Sequence, residues 1–370
     1  MLTSQIAIAE IPAPTGAEGA RAAWVARCLA RHGHGGVRID EAGNVVALRR
    51  GSVNESPVVV CAHLDTVFEE RDAIRVRRQG ARVWAPGIGD NARGLATMLA
   101  LAGEFAPGRL EPRRPILFAA TTGEEGMGDL RGARHLFDTA AREAHAAIAI
   151  DGAGDERVVA SALGCRRYRV EFTGAGGHSW AAYGTPNAVH AAARLAARLT
   201  ALSLPDRPRT TLTVARIGGG TAVNAIPSHA WLEIDVRSTA SEQLVRLDRL
   251  VRAAAHDAAE DENVHRRTGT RPLGVSVIPL SERPAGEVAP GEPILDMALE
   301  ATRLVGRTPE LAVASTDANV PLARGIPAIA IGGGGRGGDT HTPHEWFENH
   351  EGSRGVVRAL LLLAATAGVN

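Results

Sequence analysis

Short apolar runs alternate with longer amphipathic stretches through the first part of the chain. Four runs, at 45–48, 58–62, 116–121 and 146–150, are rich in Val, Ile, Leu and Ala, which is typical of strands buried on both faces. Residues 92–105, between the second and third runs, carry apolar side chains at helical spacing. Strands that alternate with helices in this way predict a mostly parallel sheet covered by helices.

The middle of the chain follows a different pattern. In the run 230–236, Leu232, Ile234 and Val236 face one way, and Glu233, Asp235 and the following Arg237 face the other. The runs 168–172 and 211–217 also predict strands with one solvated face, and helices are predicted over 187–202 and 242–259. Together these elements indicate a separate, partly antiparallel α+β domain.

The first pattern returns after Pro279. The predicted elements there are helices over 293–305 and beyond Gly352, and strands over 311–313 and 328–331. We therefore predict an α/β fold into which the middle segment is inserted. The predicted domains are 1–165 together with 279–370 for the α/β domain, and 166–278 for the inserted domain.

Composition narrows the class of protein. Hydrophobic residues make up 45% and charged residues 22% of the 370 residues, as in ordinary globular proteins. The longest dense apolar run, 359–365, is far shorter than the ~20 residues of a transmembrane helix. The 41 basic residues balance 41 acidic ones, which argues against nucleic acid or an anionic membrane as the main partner. Every strong base is arginine, so enzymes that need a catalytic lysine are excluded.

Cysteine usage and the N-terminal residues bear on the compartment. The three cysteines, Cys28, Cys61 and Cys165, are too few for a disulfide framework. The first basic residue is Arg21, so the charged start of a signal peptide is not found. We therefore expect a cytoplasmic protein.

Residue types that bind metals stand at predicted strand ends and loops. His63, Asp90, Glu125 and Asp151 follow one another at intervals of ~30 residues, the length of one βαβ unit. Successive units would therefore bring one candidate each to the same edge of a parallel sheet. A fifth candidate, His341, follows the late strand and a glycine-rich turn.

Two histidines and three carboxylates suit zinc or a similar divalent ion. Five ligands exceed one tetrahedral site, but they fit two metals that share a carboxylate. Asp65 lies two residues after His63, so both face one side of a strand, and Asp65 can accept a hydrogen bond from the second ring nitrogen of His63. Glu124 is adjacent to Glu125 and can act as the general base while its neighbour binds metal.

Each of these residues also has an ordinary structural explanation when taken alone. A histidine at a strand end is more often structural than a ligand, and paired glutamates usually form a solvated turn. Asp90 could simply cap the helix that begins at residue 92. The occurrence of all of them in this order favours the metal site.

These motifs resemble those of the dinuclear zinc exopeptidases and deacylases, which include glutamate carboxypeptidase, aminoacylase, tripeptidase T and acetylornithine deacetylase. The shared motifs are His63-Leu64-Asp65-Thr66, Asp90-Asn91, Glu124-Glu125, Asp151 and the segment from His341 to Glu345. The resemblance extends over essentially the whole chain. It implies that one metal is bound by His63, Asp90 and Asp151, and the other by Asp90, Glu125 and His341. It further implies that Asp65 orients His63 and that Glu124 is the base, with His344 a less suitable substitute for His341.

The middle segment is similar to the lid or dimerisation domain of the same family. Gly176-Gly177-His178-Ser179 matches its histidine motif, and in relatives that histidine reaches the partner subunit's active site and polarises the scissile carbonyl. Asn224 and Arg237 match positions that contact substrate, and an arginine fork suits a substrate carboxylate. Without the resemblance, His178 is an ordinary loop residue and Arg237 an exposed charge on a sheet. The resemblance implies a homodimer of the tripeptidase T-like branch.

Three other functions stay open from the residues. Gly177 to Ala181 nearly matches the nucleophile elbow of serine hydrolases, with Ser179 as nucleophile, but it lacks the closing glycine and leaves the carboxylates unexplained. Gly-x-Gly runs at Gly87 and Gly152 could indicate nucleotide binding, but neither completes the dinucleotide pattern. A relative that binds ligands without catalysis is disfavoured, because every candidate ligand and the base are present.

The sequence thus predicts a metal-dependent hydrolase that cleaves an amide bond of a small di- or tripeptide as an exopeptidase. An N-acyl amino acid deacylase with the same site is the alternative. The expected cofactors are two divalent metal ions per chain, zinc in the first place and otherwise cobalt or manganese.

Overall fold

The computed structural model of the protein describes residues 1–69 and 74–370. The chain divides into two compact units. The first unit is Met1–Ala162 with Gly286–Asn370, and the second is Leu163–Ala285. The second unit is therefore an insertion in the sequence of the first.

The elements follow one another in chain order. The first part of the first unit contains α1 (Leu2–Ala9), α2 (Gly19–Arg31), β1 (Gly35–Ile39), β2 (Val45–Arg49), β3 (Val58–His63), β4 (Arg77–Gln79), β5 (Arg82–Trp84), α3 (Ala92–Glu104), β6 (Ile116–Thr121), α4 (Arg131–Asp138), β7 (Ala146–Ile150) and β8 (Arg157–Ala162). The second unit contains β9 (Gly164–Thr173), β10 (Gly177–His178), α5 (Ala188–Thr200), β11 (Thr210–Gly219), β12 (Ala225–Ile226), β13 (His229–Ser238), α6 (Ser241–Val264) and β14 (Gly274–Arg283). The rest of the first unit contains β15 (Gly286–Glu287), α7 (Pro293–Leu304), β16 (Glu310–Ala314), α8 (Asn319–Ala323), β17 (Ala328–Ile331), β18 (Arg336–Gly338), β19 (Trp346–Glu348) and α9 (Ser353–Ala367).

The first unit is built on a large sheet. Within the described residues it has nine strands in the order β1-β2-β6-β3-β7-β17-β8-β15, with β16 also paired to β8. Its central strands β6, β3, β7 and β17 run parallel, whereas β1, β2 and β15 are antiparallel to their neighbours. Every residue of β3, β6 and β7 is buried, as expected for strands covered on both faces. The predicted α/β class with a mostly parallel sheet is confirmed.

Helix α3 packs tightly against the main sheet at its start. Its apolar face is fully buried, with Leu95, Met98 and Leu101 in the main core. A methyl group at Gly94 would collide with the side chain of Asn91 and the carbonyl of Ile150, so only glycine allows this close approach of helix and strand end. Among the described residues, no helix combines the length and apolar character needed to cross a membrane.

A second, smaller sheet of the first unit carries a loop that matters for the site. Its four strands, in the order β18-β19-β5-β4, are only three residues long each, too short to stand out as an apolar pattern. The loop between β18 and β19 contains His341 and Glu345. Because β19 pairs with β5, this loop is tied to the turn that precedes α3.

The second unit is an antiparallel sheet with helices on one face. The strand order is β11-β13-β9-β14, and α5 and α6 bury the apolar face of the sheet. Strand β14 continues through Pro279, where the sequence pattern suggested a change of domain. It lies at the edge of the sheet and shifts register between Pro279 and Ser281. Proline has no backbone N–H to donate, and an edge strand tolerates the loss of this donor.

Candidate metal centre

Five candidate ligands come together at the carboxyl edge of the main sheet. His63 is the last residue of β3, Asp151 directly follows β7, and Glu125 lies shortly after β6. Because these three strands are parallel and adjacent, their ends meet at one edge. Asp90 comes from the turn before α3, and His341 comes from the loop between β18 and β19. We call these five residues the ligand cluster.

Asp90 lies between two groups of donor atoms. Its Oδ1 is 2.9 Å from His63 Nε2, which is in turn 3.9 Å from Asp151 Oδ1. Its Oδ2 is 3.2 Å from His341 Nε2, which is 3.0 Å from Glu125 Oε1. Within each group the donor atoms all lie within 4.8 Å of one another. The residues therefore form two sites of metal-ligand composition that share one carboxylate.

The electrostatics of the cluster fit a cation. Burial and the charge of Asp90 raise the pKa of Asp151 to about 7. Burial disfavours the charged form of Asp90, but hydrogen bonds from His341 and His63 outweigh it and hold the pKa of Asp90 below its usual range. Hydrogen bonds to Asp90 and Glu125 raise the pKa of His341 to about 10. Protons thus offset the crowded negative charge, and a divalent cation could take their place.

The carboxylate of Asp65 is hydrogen-bonded to the backbone that follows β6. Its Oδ1 accepts the N–H of Glu124 at 3.0 Å, and its Oδ2 accepts the N–H of Glu125 at 2.9 Å and the hydroxyl of Thr15 at 2.8 Å. Burial alone would raise the pKa of Asp65, but His63 and the two backbone N–H groups lower it to about 2. The carboxylate is therefore held in its charged form.

The contact between Asp65 and His63 differs in detail from the prediction. His63 Nδ1 is 3.1 Å from the backbone oxygen of Asp65, whereas the carboxylate is 3.6 Å away. The ring N–H therefore donates to the main chain, and the carboxylate contributes its charge at a longer distance. The Nδ1 proton is thus held by the main chain, while Nε2 donates its own proton to Asp90 at 2.9 Å, and a metal ion at this site would take the place of that second proton.

Glu124 lies close to the cluster without belonging to either shared-carboxylate group. A carboxylate oxygen of Glu124, one of Glu125 and a ring nitrogen of His63 all lie within 4.8 Å of one another. Both glutamates are 5% exposed. The adjacent pair therefore points inward together, which is the arrangement needed for one ligand and one base.

Two side chains hold Asp90 from either side. Asn91 accepts the N–H of Gly94 at 3.0 Å and donates to the carbonyl of Ile150 at 2.8 Å, so Asn91, rather than Asp90, caps α3 and ties the turn to the end of β7. On the other side, Glu345 accepts hydrogen bonds from the turn that contains Asp90. Sequence reasoning gave Glu345 no role, although it belongs to the His341 motif.

A cavity of about 820 Å³ opens beside the cluster. Asp90 and Asp151 line one side of it, and the glycine-rich backbone at 152–154 and 335–338 lines another. The glycines of this wall carry no side chain, which leaves room for a small ligand next to Asp90 and Asp151.

The other three predicted site residues belong to the second unit. His178 is exposed, and its Nδ1 accepts the N–H groups of Trp180 at 3.2 Å and Ala181 at 3.4 Å. Asn224 lies beside it, because its carbonyl accepts the N–H of Ser179 at 2.9 Å. Arg237 is on β13, where its Nε donates to Asp235 at 2.7 Å. The structure thus brings His178 and Asn224 together on one loop pair and places Arg237 on the sheet.

The same geometry argues against Ser179 as a nucleophile. A serine is activated by a neighbouring histidine nitrogen that can take its proton. His178 Nδ1 already accepts two backbone N–H groups, and no hydrogen bond joins the Ser179 hydroxyl to a histidine in residues 1–69 and 74–370.

The sequence model of the peptidase family M20/M25/M40 matches residues 59–365. The chain belongs to this family. The match includes all five residues of the ligand cluster, and it confirms the resemblance that the motifs indicated. Family membership agrees with the prediction of a hydrolase that acts on C–N bonds.

Individual relatives agree with this assignment. A succinyl-diaminopimelate desuccinylase from Paracoccus denitrificans (strain Pd 1222) is 28% identical over 208 residues, which are 53% of this chain and 54% of the relative, so the chain matches about half the length of that relative. The structure of a tripeptidase from Staphylococcus aureus subsp. aureus Mu50 has a TM-score of 0.82 and 21% identity, over 99% of this chain and 97% of that one. A dinuclear metal-binding peptidase of the M20 family from Bacillus subtilis has a TM-score of 0.70 and 16% identity, over 100% and 98%. The two structures share the fold of this protein.

Proposed function

We propose that the protein hydrolyses an amide bond of a small peptide, as a di- or tripeptide exopeptidase with two divalent metal ions. The observation that carries the proposal is the shared carboxylate, since the two oxygens of Asp90 approach His63 on one side and His341 on the other. Zinc suits this set of imidazole and carboxylate ligands, and cobalt or manganese are the alternatives.

In this proposal one ion is held by His63, Asp90 and Asp151, and the other by Asp90, Glu125 and His341. Paired divalent ions acidify water and polarise a carbonyl oxygen. The chain contributes fixed ligand positions, because the hydrogen bonds of Asp65 and Asn91 hold the backbone of Glu125 and the turn of Asp90 in place.

We assign Glu124 as the general base. Its carboxylate is buried and lies beside the donor atoms of His63 and Glu125. From this position it can take a proton from the attacking water and return the proton to the leaving amine. The hydrogen bond from its backbone N–H to Asp65 fixes where the side chain starts.

The assignments in the second unit rest on the family resemblance. We assign His178 as a donor to the oxyanion in a homodimer, and Asn224 and Arg237 as contacts to the end of the substrate. One observation supports the first assignment. Because His178 Nδ1 accepts backbone N–H groups, a neutral ring carries its proton on Nε2, and Nε2–H can donate. A cytoplasmic location is part of the same proposal.

A second candidate function is the removal of an acyl group from an N-acyl amino acid. It is favoured by the match to the desuccinylase, whose 28% sequence identity exceeds the 21% and 16% of the two solved structures described above. The same ligands and base would serve both reactions, since both cleave an amide bond through water. The two candidates differ in the group on the acyl side of the amide bond.

The test is a rate measurement on a panel of dipeptides, tripeptides and N-acyl amino acids, made with the zinc-loaded wild type and the Glu124→Gln variant. We expect chelator-sensitive cleavage of the small peptides by the wild type. Glu124→Gln should keep both metals and lose ~10²–10⁴-fold in turnover, the usual contribution of a general base. Glu143→Gln, an exposed glutamate, is the matched control and should keep the full rate.

Cleavage of the N-acyl amino acids alone would move the assignment to a deacylase. A wild type that cleaves nothing in the panel while carrying two metals would contradict both candidates. Full turnover by Glu124→Gln would show that Glu124 is not the general base.

A further inference from the structure

The carboxylate of Glu345 is buried and accepts three backbone hydrogen bonds from one turn. Its Oε2 accepts the N–H of Gly87 at 2.9 Å. Its Oε1 accepts the N–H groups of Gly89 and Asp90, both at 2.8 Å. Only 1% of the residue is exposed. Both oxygens therefore serve the turn in which Asp90 lies, and the last of the three bonds is to the backbone of Asp90 itself.

The turn needs such an acceptor. Residues 86–91 form neither helix nor strand, so no regular ladder of backbone bonds serves them; Ile88 donates to the carbonyl of Ala85, and Gly87, Gly89 and Asp90 donate to Glu345. Gly87 has a φ of +71°, and a methyl group there would collide with the side chain of Thr66. The turn is thus packed on one side and hydrogen-bonded to both oxygens of a buried carboxyl group on the other.

Glu345 also belongs to the segment that supplies the other histidine. Its backbone N–H donates to the carbonyl of Thr342, next to His341, at 3.1 Å. Its backbone oxygen accepts the N–H of Ala85, at the end of β5, at 3.2 Å. One residue therefore connects the His341 loop to both ends of the turn that carries Asp90.

We infer that Glu345 is a positioning residue for both metal sites, because it sets the place of the shared Asp90 carboxylate relative to His341. It acts through Asp90 and His341, and no step of the reaction is assigned to it. The inference rests on the proposed function only in that it requires two ions at the ligand cluster.

The test is the affinity of the apo-protein for zinc, measured by competition with a chromophoric chelator. Glu345→Gln keeps the shape of the side chain but places an N–H donor opposite a backbone N–H. We expect both binding steps to weaken by ~10–100-fold, as for other residues that orient metal ligands. The matched control is Glu348→Gln on β19, whose carboxylate bonds to Arg82 and not to the turn. It should keep the wild-type affinity for both ions.

A second readout separates positioning from simple support of the fold. In the protein saturated with Co²⁺, the visible absorption reports the arrangement of the ligands. We expect an altered cobalt spectrum in Glu345→Gln and an unchanged one in Glu348→Gln. A lower melting temperature with wild-type zinc affinity and an unchanged spectrum would overturn the inference.

Glu345→Asp keeps the carboxyl group and shortens the reach by one methylene, and it serves if the glutamine variant does not fold. The same loss of zinc affinity is expected, and wild-type affinity would contradict the inference. No readout uses substrate. A wild type that binds fewer than two ions would refute the dinuclear site itself, whereas two ions bound equally well by wild type and variant would refute only the role of Glu345.

Discussion

The ligand cluster and the loop of His178 differ in what holds their side chains. His63 is 2% exposed. Asp65, two residues later, is fully buried and accepts the N–H groups of Glu124 and Glu125. His178 is exposed, and Trp180 beside it is 88% exposed. The hydrogen bonds to the ring of His178 come from Trp180 and Ala181, two and three residues further along the same turn. The ring of His63 is fixed by distant parts of the chain, whereas the ring of His178 is bonded to its own turn and its backbone pairs with β12.

This difference indicates how each region can work. Ligands of a metal must be held within a fraction of an ångström, which requires buried side chains with satisfied hydrogen bonds around them. His178 lies in β10, which pairs with β12 inside the 163–285 unit, but the side chains of His178 and Trp180 are exposed on that unit. Variants in the cluster should therefore affect metal binding, and variants in the second unit should affect only turnover or substrate affinity.

The largest effect is expected from Asp90→Ala. Because Asp90 faces both donor groups, the variant should lose both ions, and turnover should fall by ~10³-fold or more, since a bound metal contributes several kcal/mol. Asp151→Ala removes a ligand of one group only and should retain one ion. Metal content per chain by mass spectrometry distinguishes the two. Asp138→Asn, in an exposed pair with Arg324, is the control. Two ions in Asp90→Ala would show that the carboxylate is not shared.

Much of the ligand cluster was predictable because its signals are local. Strands buried on both faces read as short apolar runs, and a ligand that ends such a strand, such as His63 or Asp151, is visible in the sequence itself. The βαβ spacing then brings successive strand ends to one edge of the sheet. These regularities need no knowledge of tertiary contacts.

The supporting contacts were not predictable for the opposite reason. The hydrogen bonds of Glu345 to Gly89 and Asp90 join loops more than 250 residues apart, through a small sheet whose strands have three residues each. Asn91 caps α3, and Asp90 instead contacts two histidines, His63 and His341, from distant parts of the chain. The course of β14 through Pro279 depends on its place at a sheet edge. Each follows from tertiary placement rather than from local pattern.

A smaller effect is expected from His178→Ala, and it tests the second region. Loss of one oxyanion donor should lower turnover by ~10²–10³-fold and leave two ions bound. His178→Asn sharpens the test, because its side-chain oxygen can still accept the N–H groups of Trp180 and Ala181 but has no donor at the position of Nε2. Both variants should lose the same activity. Recovery of the wild-type rate in the asparagine variant would reduce His178 to a cap of its own turn.

The smallest effect is expected from Arg237→Gln. Arg237 is bonded to Asp235 and 42% of its side chain is exposed, so the variant should leave folding and metal content intact. If the guanidinium binds a substrate carboxylate, KM for a peptide with a free C-terminus should rise by ~10–100-fold, the value of a hydrogen bond to a charged group. The C-terminally amidated peptide should show no such rise. The matched control is Arg169→Gln. Arg169 lies on β9, next to the strand of Arg237, and is paired with Glu171 and Glu233. Equal losses on both peptides, or an equal loss in Arg169→Gln, would show that Arg237 is an ordinary charge of the sheet and that the carboxylate is recognised elsewhere.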